Sequence, residues 1–99
     1  MFVILWEFRV PEDRFDAFER IYGSDGDWAK LFARSDGYLG TTLLRDAATP
    51  GRYVTIDRWS SQSDAEAFRT AFARDYDALD ARCQPLTDDE EKVGEFEIA

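Results

Sequence analysis

The 99-residue chain has no histidine and a single cysteine, Cys83. Without histidine there is no Ser-His or Cys-His nucleophile, and one thiol with no imidazole partner leaves no zinc site of the usual kind. One cysteine forms no internal disulfide, which agrees with a reducing compartment. Long apolar runs are missing too: the longest, Phe2 to Trp6, is far too short to cross a membrane. That run starts at Met1 without a basic preface or a small-residue cleavage site, so it does not read as a signal peptide, and the expected location is the cytoplasm. Bases are scarce, with 12 Lys and Arg against 21 Asp and Glu, a formal charge of −9. Such a surface repels phosphate backbones and anionic lipids, so neither nucleic acid nor membrane is an expected partner. The late acids, among them Asp75, Asp80, Glu90 and Glu97, read as a solvated face in preference to a docking surface for a basic partner. No Gly-rich phosphate loop opens a helix, and Asp25-Gly26-Asp27 lacks the later ligands of a calcium loop, so neither a cofactor nor a metal is expected.

What is present is a globular composition, 44% hydrophobic and 15% aromatic, sized for one domain over residues 1–99. Phe2, Ile4, Trp6, Phe8 and Val10 alternate along a first strand. After Pro11, the spacing of Phe15, Phe18 and Ile21/Tyr22 predicts a helix that Gly23 stops, and Trp28, Leu31 and Phe32 give a second, short one before Asp36-Gly37. Strands are expected from about Tyr38 to Arg45 and from Arg52 to Trp59, joined across Asp46–Gly51. Ser63 and Glu66 form an S-x-x-E capping box for a long helix carrying Phe68, Phe72, Tyr76 or Leu79, and Cys83 on one side, with Pro85 ending it. A weaker strand, interrupted by Gly94, runs from about Lys92 to Ile98.

The order β-α-(α)-β-β-α-β is the split βαβ arrangement of ferredoxin-like α+β domains, an antiparallel sheet with its helices on one face. Val3 and Leu5 on the first strand and Val54 and Ile56 on the third make the other face apolar as well. A bare apolar sheet is unusual on a soluble monomer, so a face-to-face homodimer is expected.

Phe2–Val10, the Phe15/Phe18 helix, Gly37-Tyr38-Leu39-Gly40-Thr41, and Tyr53–Trp59 followed by Ser60-Ser61 and the Ala65/Phe68 helix together resemble the antibiotic biosynthesis monooxygenase-like family of dimeric α/β barrels. The resemblance implies oxygenation of an electron-rich phenol or hydroquinone without metal or organic cofactor in some members, and haem degradation in others. The haem-degrading members carry a histidine on the helix nine residues after the strand-end tryptophan, a place occupied here by Phe68. Haem chemistry of that type is therefore disfavoured; Tyr76 or Cys83 could serve as an iron ligand only outside any motif.

A cofactor-free oxygenase must bind its substrate, deprotonate it and exclude water. Strand alternation puts Tyr53, Thr55, Asp57 and Trp59 on one face, and the position of Trp59 in relatives points that face at the helices. Asp57 is then either a base with a raised pKa or, more simply, half of an ion pair with an arginine such as Arg9 or Arg45. The candidate catalytic residues are Asp57 and Trp59. The candidate substrate-binding residues are Trp6, Phe8, Tyr53, Phe68, Phe72 and Tyr76, each of which also has a reading as plain core. The expected function is a cofactor-independent monooxygenase acting on a small electron-rich aromatic; a non-catalytic ligand-binding or accessory barrel is the alternative.

Overall fold

The computed structural model describes all residues, Met1–Ala99. Four strands, β1 (Phe2–Arg9), β2 (Tyr38–Arg45), β3 (Arg52–Trp59) and β4 (Asp89–Glu97), form one antiparallel sheet in the order β2-β3-β1-β4. Helices α1 (Phe15–Tyr22), α2 (Asp27–Phe32), α3 (Gln62–Ala71) and α4 (Ala73–Cys83) complete a ferredoxin-like α+β fold. The alternation expected of β3 holds residue by residue: Tyr53, Thr55, Asp57 and Trp59 are buried, and Val54, Ile56 and Arg58 are half-buried.

The core between sheet and helices is largely aromatic. Phe18, with no exposed surface, stacks on Tyr22 at 4.2 Å and meets Phe8 and Tyr53 at 5.2 and 4.8 Å. Phe32 joins Trp59 and Phe68 at 5.6 and 5.3 Å. Offset and edge-on ring contacts of this kind add to the burial term, so a small domain gains a stable core from few residues.

Three expectations change. The single long helix is two, broken at Phe72, whose φ of −113° and ψ of 28° leave the helical region although no glycine or proline is there. The break lets α3 pack on β3 through Phe68 while α4 packs on α2 through Tyr76, whose ring is 4.9 Å from Trp28. The helix start also lies earlier than the Ser63/Glu66 box: Ser61 is the N-cap and its hydroxyl accepts the Asp64 N–H at 3.1 Å. The motif is the same serine-x-x-acid spacing shifted by two residues, with Ser60 donating to the Asp64 carboxylate. Finally, β4 begins at Asp89 and runs through Gly94, because an extra residue, Val93, is taken up as a bulge opposite Leu5/Trp6.

A second bulge has chemical consequences. Tyr38 pairs with Trp59 and Gly40 with Arg58, so Leu39 is the extra residue in β2. Residues three apart in a regular strand point to opposite faces. Here Tyr38 and Thr41 both face the helices, and Gly40, at φ +132°, supplies backbone geometry that a side chain would strain.

The opposite face of the sheet has no helix over it. Val3, Leu5, Leu44, Val54, Ile56 and Phe96 share it by register, with Leu44 and Phe96 45% and 48% exposed. The Phe96 ring folds over Gly94, so close that a Cβ there would lie 2.8 Å from it. No helix is long and apolar enough to cross a membrane.

Candidate functional site

Two clefts open between the sheet and the helices. The first is lined by aromatics from both layers, Trp6, Phe8, Tyr22, Trp28, Phe32 and Tyr76, together with Thr41, Thr55, Asp57, Asp80 and Glu90. The second lies beside Trp59, Phe68 and Ala65 and also touches Arg69, Lys92, Glu66 and Glu95. Trp6, Phe32, Asp57 and Tyr76 belong to both. The space within them, open solvent included, is about 450 and 660 Å³.

Asp57 stands where the clefts meet. Central β3 places it between Ile4 of β1 and Thr41 of β2 in the register, under the aromatic layer, and it is only 8% exposed. Thr41 Oγ1 donates to Asp57 Oδ1 at 2.7 Å, and the Tyr38 hydroxyl lies 2.5 Å from the same Thr41 oxygen. Asp57 Oδ2 has no protein partner. Yet Trp28 Nε1 is the one buried side-chain polar atom without a partner, so Oδ2 reaches the open space of the cleft. Burial raises the Asp57 carboxyl to about 6, against the opposing effects of the Thr41 hydrogen bond and the Arg58 charge.

The ion pair expected for Asp57 is absent. Arg45 instead grips Glu19 of α1 through two hydrogen bonds, of 2.7 and 3.2 Å, and Arg9 lies 3.5 Å from Glu7. Both arginines are near the far end of their strands, beyond the reach of a residue under the aromatic layer. A buried carboxylate with one hydroxyl donor and one open oxygen is poorly compensated, and such groups concentrate at sites that do chemistry.

The other expected residues divide. Trp6, Phe8 and Tyr76 line the first cleft, and Trp59 and Phe68 the second. Tyr53 and Phe72 line neither, a correction to the substrate-binding set. The Tyr53 hydroxyl donates to Glu19 at 2.5 Å, closing the Arg45–Glu19 cluster, and Phe72 stacks on Phe68 at 5.2 Å at the helix break. Their faces were read correctly, but alternation does not reveal that the cavity ends before Tyr53.

Sequence periodicity alone misses several residues of the site. Thr41 lines the first cleft and Tyr38, outside the lining, bonds to it, although strand periodicity puts the two on opposite faces; the Gly40 that permits the bulge is their only sequence signal. Asp80 and Glu90 looked like members of a solvated acidic stretch. Trp28, Tyr22 and Phe32 had the spacing of core residues, and most of their surface is indeed core. The Trp28 indole N–H has the Tyr22 hydroxyl and the Cys83 thiol as polar neighbours, neither in bonding geometry, and burial raises both of those groups. Cys83 is thus a protonated packing residue.

An α+β sheet-and-helix domain with a carboxylate under an aromatic cleft is the class that fold and site define. The sequence model of the antibiotic biosynthesis monooxygenase family matches residues 1–73, and the chain belongs to that family. Among solved structures, a Deinococcus radiodurans protein assigned to the same class superposes with a TM-score of 0.76 at 16% identity, over 100% of this chain and 93% of that one. SnoaB from Streptomyces nogalater, a cofactor-independent oxygenase, gives 0.66 at 25% identity over 99% and 92%. A MhuD variant with two manganese protoporphyrin IX molecules bound per active site gives 0.73 at 24% identity over 100% and 95%. No curated protein matches the sequence.

The residues here do not fit a haem ligated in the manner the resemblance implies. The chain has no histidine, and Phe68 is 3% exposed, its ring packed on Trp59 and Phe72 at 5.2 Å each. A hydrocarbon ring in the place of an imidazole offers iron no lone pair.

Proposed function

We propose that the protein is a cofactor-independent monooxygenase whose substrate is a small electron-rich phenol or hydroquinone, bound in the aromatic cleft with its acidic hydrogen at Asp57. The observation that carries this reading is the Asp57 carboxylate, buried under aromatic side chains with one oxygen held by Thr41 and the other open to the cleft. A carboxyl raised to about 6 is still ionised at neutral pH and is a stronger base than an ordinary aspartate. Trp6 and Tyr76 line the clefts with it and offer aromatic surface to a substrate ring, one face of Tyr76 being covered by Arg69.

The chemistry needs no redox group from the protein. Deprotonation converts the phenol into an anion rich enough in electrons to reduce dioxygen. For a substrate whose tautomer holds a ring CH2, the balance is CH2 + O2 giving C=O + H2O, with all four electrons leaving the substrate. The chain's tasks are to remove the first proton at Asp57 Oδ2, fix the ring and keep bulk water from the anion.

We infer also that the working form is a homodimer joined through the bare sheet face. Apolar residues from all four strands share that face, Leu44 and Phe96 exposed, Leu5, Val54 and Ile56 half-buried and Val3 buried, and a 99-residue domain gains appreciably from covering what is left open.

The test is oxygen uptake on a panel of hydroquinones and anthrone-like phenols. Protein-dependent uptake that Asp57→Asn abolishes is the expected result. Uptake unchanged in Asp57→Asn removes the base from Asp57, and no uptake across the panel favours a ligand-binding role for the same cleft.

A further inference from the structure

The charged side chains that line the first cleft are all acidic, while from the adjoining cleft Arg69 stacks on one face of the Tyr76 ring at 3.9 Å and Lys92 lies 5.9 Å from the Trp6 ring. Three carboxylates line it, Asp57, Asp80 and Glu90, and no lysine or arginine does; Arg69 and Lys92 line only the adjoining cleft. Asp80 comes from α4, one turn after Tyr76. Glu90 comes from the start of β4, opposite Phe8 in the register.

Neither rim acid has a cationic partner. Several other acids are paired, Asp27 with Arg82 at 3.1 Å, Asp75 with Arg34 at 3.1 Å, Asp77 with Arg69 at 3.2 Å, and at the adjoining cleft Glu95 with Lys92 at 2.5 Å, while Asp16 and Glu66 stand unpaired in solvent away from the first cleft. Asp80 and Glu90 make no such pair. Partial burial and the charges of Asp80 and Asp89 hold the Glu90 carboxyl above its ordinary range. Burial raises the Tyr76 phenol; the charge of Arg69 opposes this, and the charges of Asp80, Asp57 and Glu90 add to it.

Depth orders them. Asp57 is on the floor, more than nine-tenths buried with Oδ2 unpartnered; Asp80 is half-buried on the wall; Glu90 is exposed at the mouth. The faces of Trp6, Trp28 and Tyr76 complete the walls. Carboxylates among aromatic faces attract organic cations twice over, by charge and by the ring quadrupole, and repel anions.

We propose that this cleft receives a protonated amine, its ammonium group held at the mouth between Asp80 and Glu90, so that the substrate of Asp57 is a phenol carrying a basic nitrogen. The inference rests on the phenol-oxygenase reading for the floor of the cleft, and the cation site at its mouth is tested separately. An aromatic body between Trp6 and Tyr76 spans the two, with its acidic hydroxyl inward and its ammonium outward. The same charges discriminate against phenols bearing a carboxylate.

Three probes of matched size separate the contributions: tyramine (phenol and ammonium), 4-ethylphenol (phenol alone) and 4-hydroxyphenylacetate (phenol and carboxylate). Titration calorimetry at low ionic strength should give tyramine at least tenfold tighter than 4-ethylphenol, with 4-hydroxyphenylacetate the weakest. In the Asp80→Asn/Glu90→Gln double variant the tyramine advantage should fall below threefold while 4-ethylphenol is unchanged. Both acids lie at the rim, so the variant keeps its core. Tyramine that binds no tighter than 4-ethylphenol, including no binding by either, overturns the proposal, as does a preference that survives the double variant. A tyramine preference lost in the double variant supports the cation site even where no phenol elicits oxygen uptake, a result that defeats only the oxygenase reading. Uptake from neutral phenols without a tyramine preference does the converse.

Discussion

Thr41 has one hydroxyl proton, and the 2.7 Å bond to Asp57 uses it, so at the 2.5 Å contact between Thr41 and Tyr38 the phenol of Tyr38 must be the donor. The order Tyr38 to Thr41 to Asp57 is therefore directional, and it delivers hydrogen-bond donation to the ionised form of a buried carboxylate. Each link polarises the next. Without it, burial alone would push the Asp57 carboxyl higher still.

Thr41→Val tests that link. The substitution keeps the shape and removes the donor, so a buried carboxylate loses its one protein partner at a cost of about 1–3 kcal/mol at neutral pH. The Asp57 pKa should rise above its parent value of about 6, measurable by carboxyl carbon NMR across a pH titration. An unmoved pKa would mean that solvent in the cleft supplies the compensation.

Asp57 also makes stability depend on pH. Its folded-state value of about 6 lies above the 3.8 of an ordinary aspartate, so the native state binds the proton more tightly than the unfolded chain does. The favourable contribution is fully present below about pH 4 and is lost as pH rises through about 6, worth at most about 3 kcal/mol. Asp57→Asn, which still accepts from Thr41, should therefore be more stable than the parent at pH 7 and close to it at pH 4. Urea denaturation at the two values reads the difference, and an equal effect at both would contradict the assignment.

The same group sets the expected rate profile. With Asp57 as base, kcat/KM for oxygen uptake should rise about tenfold per pH unit on the acid side and level off above an apparent pKa near 6. A profile flat from pH 5 to pH 8 would exclude a carboxylate base of this pKa.

Gly40→Ala probes the bulge. At φ +132° an alanine is strained even though nothing crowds its Cβ, and the expected loss is about 1–3 kcal/mol. If the strand responds by expelling the bulge, Tyr38 turns away from Thr41. Oxygen uptake should then fall more than in a rim variant of equal stability.

The sheet face and the tryptophans give the remaining checks. Light scattering should report a dimer, and Ile56→Glu, which places a charge at the centre of the bare face, should yield monomers. All three tryptophans of the chain line a cleft, Trp28 the first, Trp59 the second and Trp6 both. A phenol in the first cleft should quench Trp28, so Trp28→Phe should remove more of the saturable signal than Trp59→Phe; the reverse order would seat the ligand beside Trp59.

The sequence by itself determined the sheet-and-helix architecture, the inward face of β3 and the aromatic wall. Period-two alternation in Tyr53–Trp59 and three-to-four-residue spacing in Phe15, Phe18 and Tyr22 are local patterns set by backbone geometry. Tertiary structure decided the rest. Whether Asp57 had an arginine partner depended on where strands β1 and β2 put Arg9 and Arg45, and they hold them at the far end of the sheet. The break at Phe72 has no local cause in glycine or proline; it follows from the need of Phe68 and Tyr76 to meet different neighbours. The polar charges of β4 appear in sequence as a weak strand. In the fold its helix-side face carries Glu90, Lys92, Glu95 and Glu97, the first three lining the clefts, where an edge strand lies beyond the helical cover and leaves ionised side chains in contact with water.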